Sequence, residues 1–195
     1  SLIYYLLPFD IGINIFYIIH YLLAGIFIYF LANTLKFSKF SSTFCAITFM
    51  FSGYLVSVLD MSTTLCAVIW LPLTFLFFHN TLETFSVKYV ILTAVVLAFQ
   101  LLGGEPTIFY GTVLLLIGYS IFRIISIKND KYGSIIPFGH KYVVKIFLFL
   151  FASLFLCFLL TAFQILPFLE FLANSNRFSG SSYESIVKWS IPPWH

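Results

Sequence analysis

Apolar residues run along this chain in long blocks, each closed by a short polar or Gly/Pro-containing break. A helix needs about 20 apolar residues to cross the hydrocarbon layer of a bilayer. On that ruler the blocks predict transmembrane helices over Ile11–Leu31, Thr43–Leu59, Thr64–Phe78, Val87–Leu102, Pro106–Ile127 and Tyr142–Ile165. Their stops are Asn33 with the Lys36/Lys39 loop, Asp60, Gly103-Gly104 and the polar stretch from Lys128 to His140. Pro106 suits the first turn of a helix, whereas Pro72 falls inside the third block and predicts a kink there. The second, third and fourth blocks are short for full spans. After Pro167 the stretch Phe168–Ala173 reads as interfacial, within an external loop over 166–195. The expected fold is therefore all-α: one transmembrane domain, residues 1–195, built as a polytopic helix bundle of about six spans.

Composition agrees. Hydrophobic residues make up 61% of the 195 and charged residues only 9%, with a mean hydropathy of +1.04. A soluble domain carries about a quarter charged residues to cover its surface, so a lipid-facing surface is the economical reading. Cys45, Cys66 and Cys157 all lie in apolar blocks without CxxC or CxxH spacing, and read as small buried hydrophobes. The 26 Phe and 12 Tyr are treated as compositional bias and carry no site. No basic segment with a cleavage site precedes the first block, and the chain stops at Ile191-Pro192-Pro193-Trp194-His195. The expectation is an internal piece of a longer protein.

Charge sorts by side. Alternating the six spans puts Lys36, Lys39, Lys88, Arg123, Lys128, Lys131, Lys141 and Lys145 on one face, eight of the ten basic residues, leaving Arg177 and Lys188 opposite. Cytoplasmic loops carry the excess of Lys and Arg, so the expected location is the cell membrane with both chain ends external. Acids run the other way: Asp10, Asp60, Glu105, Glu170 and Glu184 fall outside, Glu83 and Asp130 inside. They either terminate helices where lysine is avoided or line an outer polar cavity. Ala98-Phe99-Gln100-Leu101-Leu102 echoes in Ala162-Phe163-Gln164-Ile165-Leu166, 64 residues on, with Glu105 and Glu170 following. A two-helix repeat would give that arrangement, as would chance in so restricted an alphabet.

The candidate substrate-binding residues are Asp10, His20, Asp60, Gln100, Glu105, Gln164, Glu170 and Arg177. His20 lies mid-span, where an ionisable group is functional by default or else is satisfied by a neighbouring helix. Gln100 and Gln164 sit near outer helix ends, where an amide bonds a sugar hydroxyl or a backbone group. Gly103-Gly104-Glu105-Pro106 makes a tight outer turn, with Glu105 placed to meet the N–H groups that open the next helix. Arg177 has the fork geometry for phosphate, or for lipid headgroups. The sequence contains no P-loop, GxGxxG, HExxH or GxSxG motif. Neither nucleotide nor redox cofactors are expected, nor a nucleic-acid partner.

Leu7-Pro8, His20-Tyr21-Leu22-Leu23-Ala24-Gly25, Phe51-Ser52-Gly53-Tyr54 and Trp70-Leu71-Pro72-Leu73 stand in order along the chain. They are followed by Gly103-Gly104-Glu105-Pro106 and by Gln164-Ile165-Leu166-Pro167-Phe168-Leu169-Glu170, with Ser175 and Arg177. As an ordered set these resemble the YfhO-like group of bacterial multi-pass membrane proteins, within the GT-C glycosyltransferase superfamily. That resemblance implies a GT-C-like fold. It also implies transfer of a sugar from a polyprenyl-phosphate carrier to a cell-envelope acceptor on the external face. Its partners would be membrane lipids, the lipid-linked donor and the acceptor. In such enzymes an acid of the first external loop is the general base, and cationic groups or a divalent cation stabilise the departing phosphate. No DxD or ExD stands here, so the principal base is expected upstream and the catalytic residue within these 195 is unknown. The alternatives are a transporter or flippase for an envelope lipid or polysaccharide, and a non-catalytic membrane scaffold.

Overall fold

The computed structural model describes residues 8–129 and 140–174, with only the backbone described for Phe9, Lys128 and Asn129. Among these residues there are eight α-helices and no strand. They are α1 (Phe9–Thr34), α2 (Lys39–Met50), α3 (Gly53–Ser57), α4 (Ser62–Val68), α5 (Leu71–Thr84), α6 (Val87–Leu102), α7 (Pro106–Asn129) and α8 (His140–Ala173). The chain divides into two compact units, the first ending at Leu160 and the second beginning at Thr161, within α8.

Five segments are long and apolar enough to cross a membrane: Asp10–Thr34, Lys39–Ser57, Ser62–Thr84, Pro106–Ile127 and His140–Ala173. The chain is a multi-pass, all-α membrane protein. The expected fourth span appears as α6, with the bounds expected, but it has 16 residues. At 1.5 Å per residue that is roughly 24 Å, short of a hydrocarbon layer about 30 Å thick.

Two of the expected spans are interrupted. The block 43–59 breaks at Phe51-Ser52 because Ser52 turns extended and its hydroxyl caps a new helix, accepting from Leu55 N at 3.4 Å. The block 64–78 does not kink within one helix at Pro72. It divides into α4 and α5, and Pro72 stands in the first turn of α5, where its missing N–H costs nothing. The segment then runs on to Thr84 and ends at Phe85, in the left-handed conformation (φ 50°). The last helix also outruns its expected limit. It passes through Pro167 to Ala173, so 166–173 is helix and not loop.

The first unit holds two cores. Around the breaks, Ala24, Leu55, Leu65, Val68 and Ile69 bury together, joining α1 to α3 and α4. Phe78, Leu82, Leu97, Leu116, Ile146 and Cys157 form the other, joining α5, α6, α7 and α8. The α4–α5 segment is the most buried of the five, while α1, α7 and α8 present much of their apolar surface outward. Such outward apolar faces match a hydrocarbon surround, where exposed polar backbone is excluded.

Candidate functional site

Most of the sequence-derived candidates in the first unit gather at the end where α3 and α4 meet. His20 of α1 brings Nδ1 to 2.7 Å from Phe16 O and Nε2 to 3.5 Å from Cys66 Sγ, with its ring 3.9 Å from that of Phe16. A carbonyl only accepts, so Nδ1 carries the proton and Nε2 is the acceptor turned to the thiol. Tyr17 donates to Leu59 O at 2.8 Å and Tyr21 to Leu55 O at 2.6 Å. These are carbonyls that the short α3 leaves over. Trp70, at the α4–α5 break, stacks on Phe99 (5.2 Å, 23°) and meets Phe27 at a tilt (5.4 Å, 32°).

Gln100 is fully buried, and its Nε2 donates to Thr112 Oγ1 at 2.8 Å. Thr112 already donates to Ile108 O at 2.9 Å, so it can only accept from the amide. That fixes the amide orientation and leaves Gln100 Oε1 buried without a partner. Gly103 closes α6 against Ala67, and Gly104 (φ 85°) makes the turn that carries half-buried Glu105 to Pro106. Asp10 in the first turn of α1 and Asp60 after α3 are exposed. Among the described residues Asp10, Asp60 and Glu105 form no ion pair, and no three His, Cys, Asp or Glu side chains converge as a metal set. In the second unit Gln164 is half-buried and Glu170 exposed, with Glu170 O accepting from Asn174 Nδ2 at 3.0 Å. Arg177 and Ser175 lie outside the described residues.

The lysine-rich end holds a group that the sequence reading passed over. His79 and Glu83 lie one turn apart on α5, and Tyr119 and Arg123 one turn apart on α7. The two pairs meet rung on rung: His79 Nδ1 and Tyr119 OH are 2.6 Å apart, and Arg123 Nη2 is 2.6 Å from Glu83 Oε1. Tyr142 of α8 stands within electrostatic reach of both members of the ion pair. Its buried hydroxyl lies beside the Arg123 side chain, whose N–H groups face it. Lys145 lies over the Phe85 ring at 4.4 Å. Beside these groups a cavity of about 320 Å³ is lined by Thr34, Leu35, Lys36, His79, Asn80 and Glu83. The available signal was the matched i, i+4 spacing of polar residues on two apolar helices.

Comparison with protein-family models, with curated proteins and with solved structures returns no match to this chain.

Proposed function

We propose that this chain is part of a GT-C-type membrane glycosyltransferase, moving a sugar from a polyprenyl-phosphate carrier to an envelope acceptor. The transfer site would be at the end where α3 and α4 meet. One observation supports the reading: three of the motifs that resemble the YfhO-like group, distant in the sequence of the first unit, meet at α4 and the break that follows it. His20 touches Cys66, Trp70 stacks on Phe99, and Gly103 seats against Ala67. The positive-inside rule puts Lys36, Lys39, Lys88, Arg123, Lys141 and Lys145 in the cytoplasm, and so turns this motif-bearing end outward.

On this reading Glu105, Asp60 and Asp10 hold sugar or acceptor hydroxyls, and Gln100 offers its unpartnered Oε1 to one of them. Glu170, Gln164 and Arg177 are binding groups of the following segment. The test is transfer from a labelled polyprenyl-phosphate sugar in membranes carrying the full-length protein. Glu105→Gln should lower the rate about tenfold or more at equal expression, and an unchanged rate overturns the assignment of Glu105.

A second reading, transport of an envelope lipid or polysaccharide, is favoured by the interruptions at Phe51-Ser52 and Ile69-Trp70. Broken helices are a common device of transporter binding sites. Movement of an intact labelled lipid-linked sugar across proteoliposomes, without transfer, would decide for it.

A further inference from the structure

Hydrogen-bond donors outnumber acceptors at the lysine-rich end. Glu83 is its one carboxylate among the described residues, and Arg123 already holds it at 2.6 Å. Tyr119 O–H is the natural donor to His79 Nδ1, which leaves the imidazole proton on Nε2. Lys36 and the Asn80 amide line the cavity, and neither has a side-chain partner among the described residues. Tyr142, only 7% exposed, sets its hydroxyl beside the Arg123 side chain and adds no acceptor for Lys36 or Asn80. Among the residues that line the cavity, Glu83 is held by Arg123, and Lys36 is the charged side chain left without an opposite charge.

Lys36 is also held in place at a cost. It closes α1 in the left-handed conformation (φ 64°), where glycine is the usual choice, with Phe37 N bonded to Ala32 O at 3.1 Å. The turn therefore keeps a charged side chain at a backbone position that favours glycine, on the wall of a cavity. The cavity volume of about 320 Å³ is within the range of small-ligand sites.

We propose that this cavity binds a phosphate group carrying about one negative charge, either the phosphodiester of an anionic lipid headgroup or a free phosphate. Lys36 supplies the charge, and Asn80 and His79 supply directed donors. This site is at the opposite end of the first unit from the proposed transfer site, so the two stand or fall separately.

The experiment uses the full-length protein in phosphatidylcholine nanodiscs, doped with phosphatidylglycerol or with phosphate-free diacylglycerol. Lipid retained after transfer to detergent is read by native mass spectrometry. In a second arm, inorganic phosphate is titrated and its ³¹P line width followed. Wild type should retain phosphatidylglycerol and not diacylglycerol, or should broaden the phosphate line; the first result assigns the lipid source and the second the free anion. Lys36→Gly should cut the signal about fivefold, as expected for one lysine near an anionic surface. Because glycine is the residue this turn prefers, the variant should melt no lower than wild type. Asn80→Ala should also weaken binding, whereas Lys39→Gln, outside the cavity, should not. The proposal is overturned if neither probe binds, if Lys36→Gly binds as wild type does, or if Lys39→Gln loses as much as Lys36→Gly.

Discussion

Around the short α3, side chains reach for backbone: Tyr17 and Tyr21 take the carbonyls of Leu59 and Leu55, and the Ser52 hydroxyl takes the Leu55 N–H. At the lysine-rich end, side chains reach for each other: His79 for Tyr119 and Glu83 for Arg123. The first pattern repairs broken helices; the second locks two unbroken ones together. A polar residue in an apolar helix therefore does different work depending on whether the helix beside it is whole. At a break it replaces a missing backbone bond. Between intact helices it needs a second side chain at the matching height, and whatever stays unmatched is left for a ligand.

Glu83→Leu should have the largest effect on stability, because it strands Arg123, whose Nε is already buried. Removing one partner of a buried pair costs about 3–5 kcal/mol, and half-exposed Glu83 lowers the expectation to about 2 kcal/mol. Unfolding in detergent micelles, monitored by circular dichroism, measures it; a loss no greater than that of an exposed control would mean the rungs carry no weight.

Next comes the glycine that seats the opposite end. A methyl at Gly103 would meet backbone, Gln100 O at 3.0 Å and Ala67 N at 3.2 Å, and neither can swing aside. Gly103→Ala should cost about 1–2 kcal/mol, as overpacking does. At Gly25 the neighbour is the Met50 thioether, a flexible chain end, so Gly25→Ala should cost less and Met50→Ala should relieve it. If Gly25→Ala proves the worse of the two in the same melting assay, α1 and α2 are packed more rigidly than α4 and α6.

Tyr21→Phe removes one hydroxyl-to-carbonyl bond and should cost about 0.6–1 kcal/mol. Since it frees Leu55 O at a break, faster amide exchange should be confined to α3 and its flanks; uniform acceleration would argue against the repair role.

The smallest effect is expected at Gln100. Gln100→Leu removes an orphaned buried carbonyl of similar volume, and Thr112 keeps its bond to Ile108 O, so stability should change by less than about 0.5 kcal/mol. A fall in sugar transfer at unchanged stability would give Gln100 a binding role. A loss of more than about 1 kcal/mol would mean that Oε1 has a partner, such as an ordered water.

Much of the fold was legible because apolar block length is a strong local signal. α6 has the bounds the sequence gives, and α1 and α7 only extend past theirs by a few residues. The misplaced limits share a cause. The third block was closed at Phe78, the last apolar residue before His79, yet α5 runs a further turn and a half to Thr84 because His79 and Glu83 find partners on α7. Polarity ends a span only when the polar group has no partner inside, and a partner on another helix cannot be seen along one chain. Arg123, counted only as a topological charge, was missed in the same way. Pro167, after which the sequence predicts an interfacial stretch, is carried inside a long helix. By contrast, the Gly103-Gly104 turn acts on its own backbone and could be read along the chain, whereas the break that Ser52 caps, inside the block expected to run from Thr43 to Leu59, could not.

The brevity of α3 has a consequence for how the protein is made. A five-residue helix cannot pay its own nucleation cost, so Gly53–Ser57 is helical only while Tyr17 and Tyr21 clasp it from α1. The ribosome delivers α1 first, and the template is therefore in the membrane before the piece that depends on it emerges. A circular permutant that moves α1 to the end of the chain would lose that order of arrival. It should insert with the stretch from Phe51 to Met61 unstructured until the last helix is released.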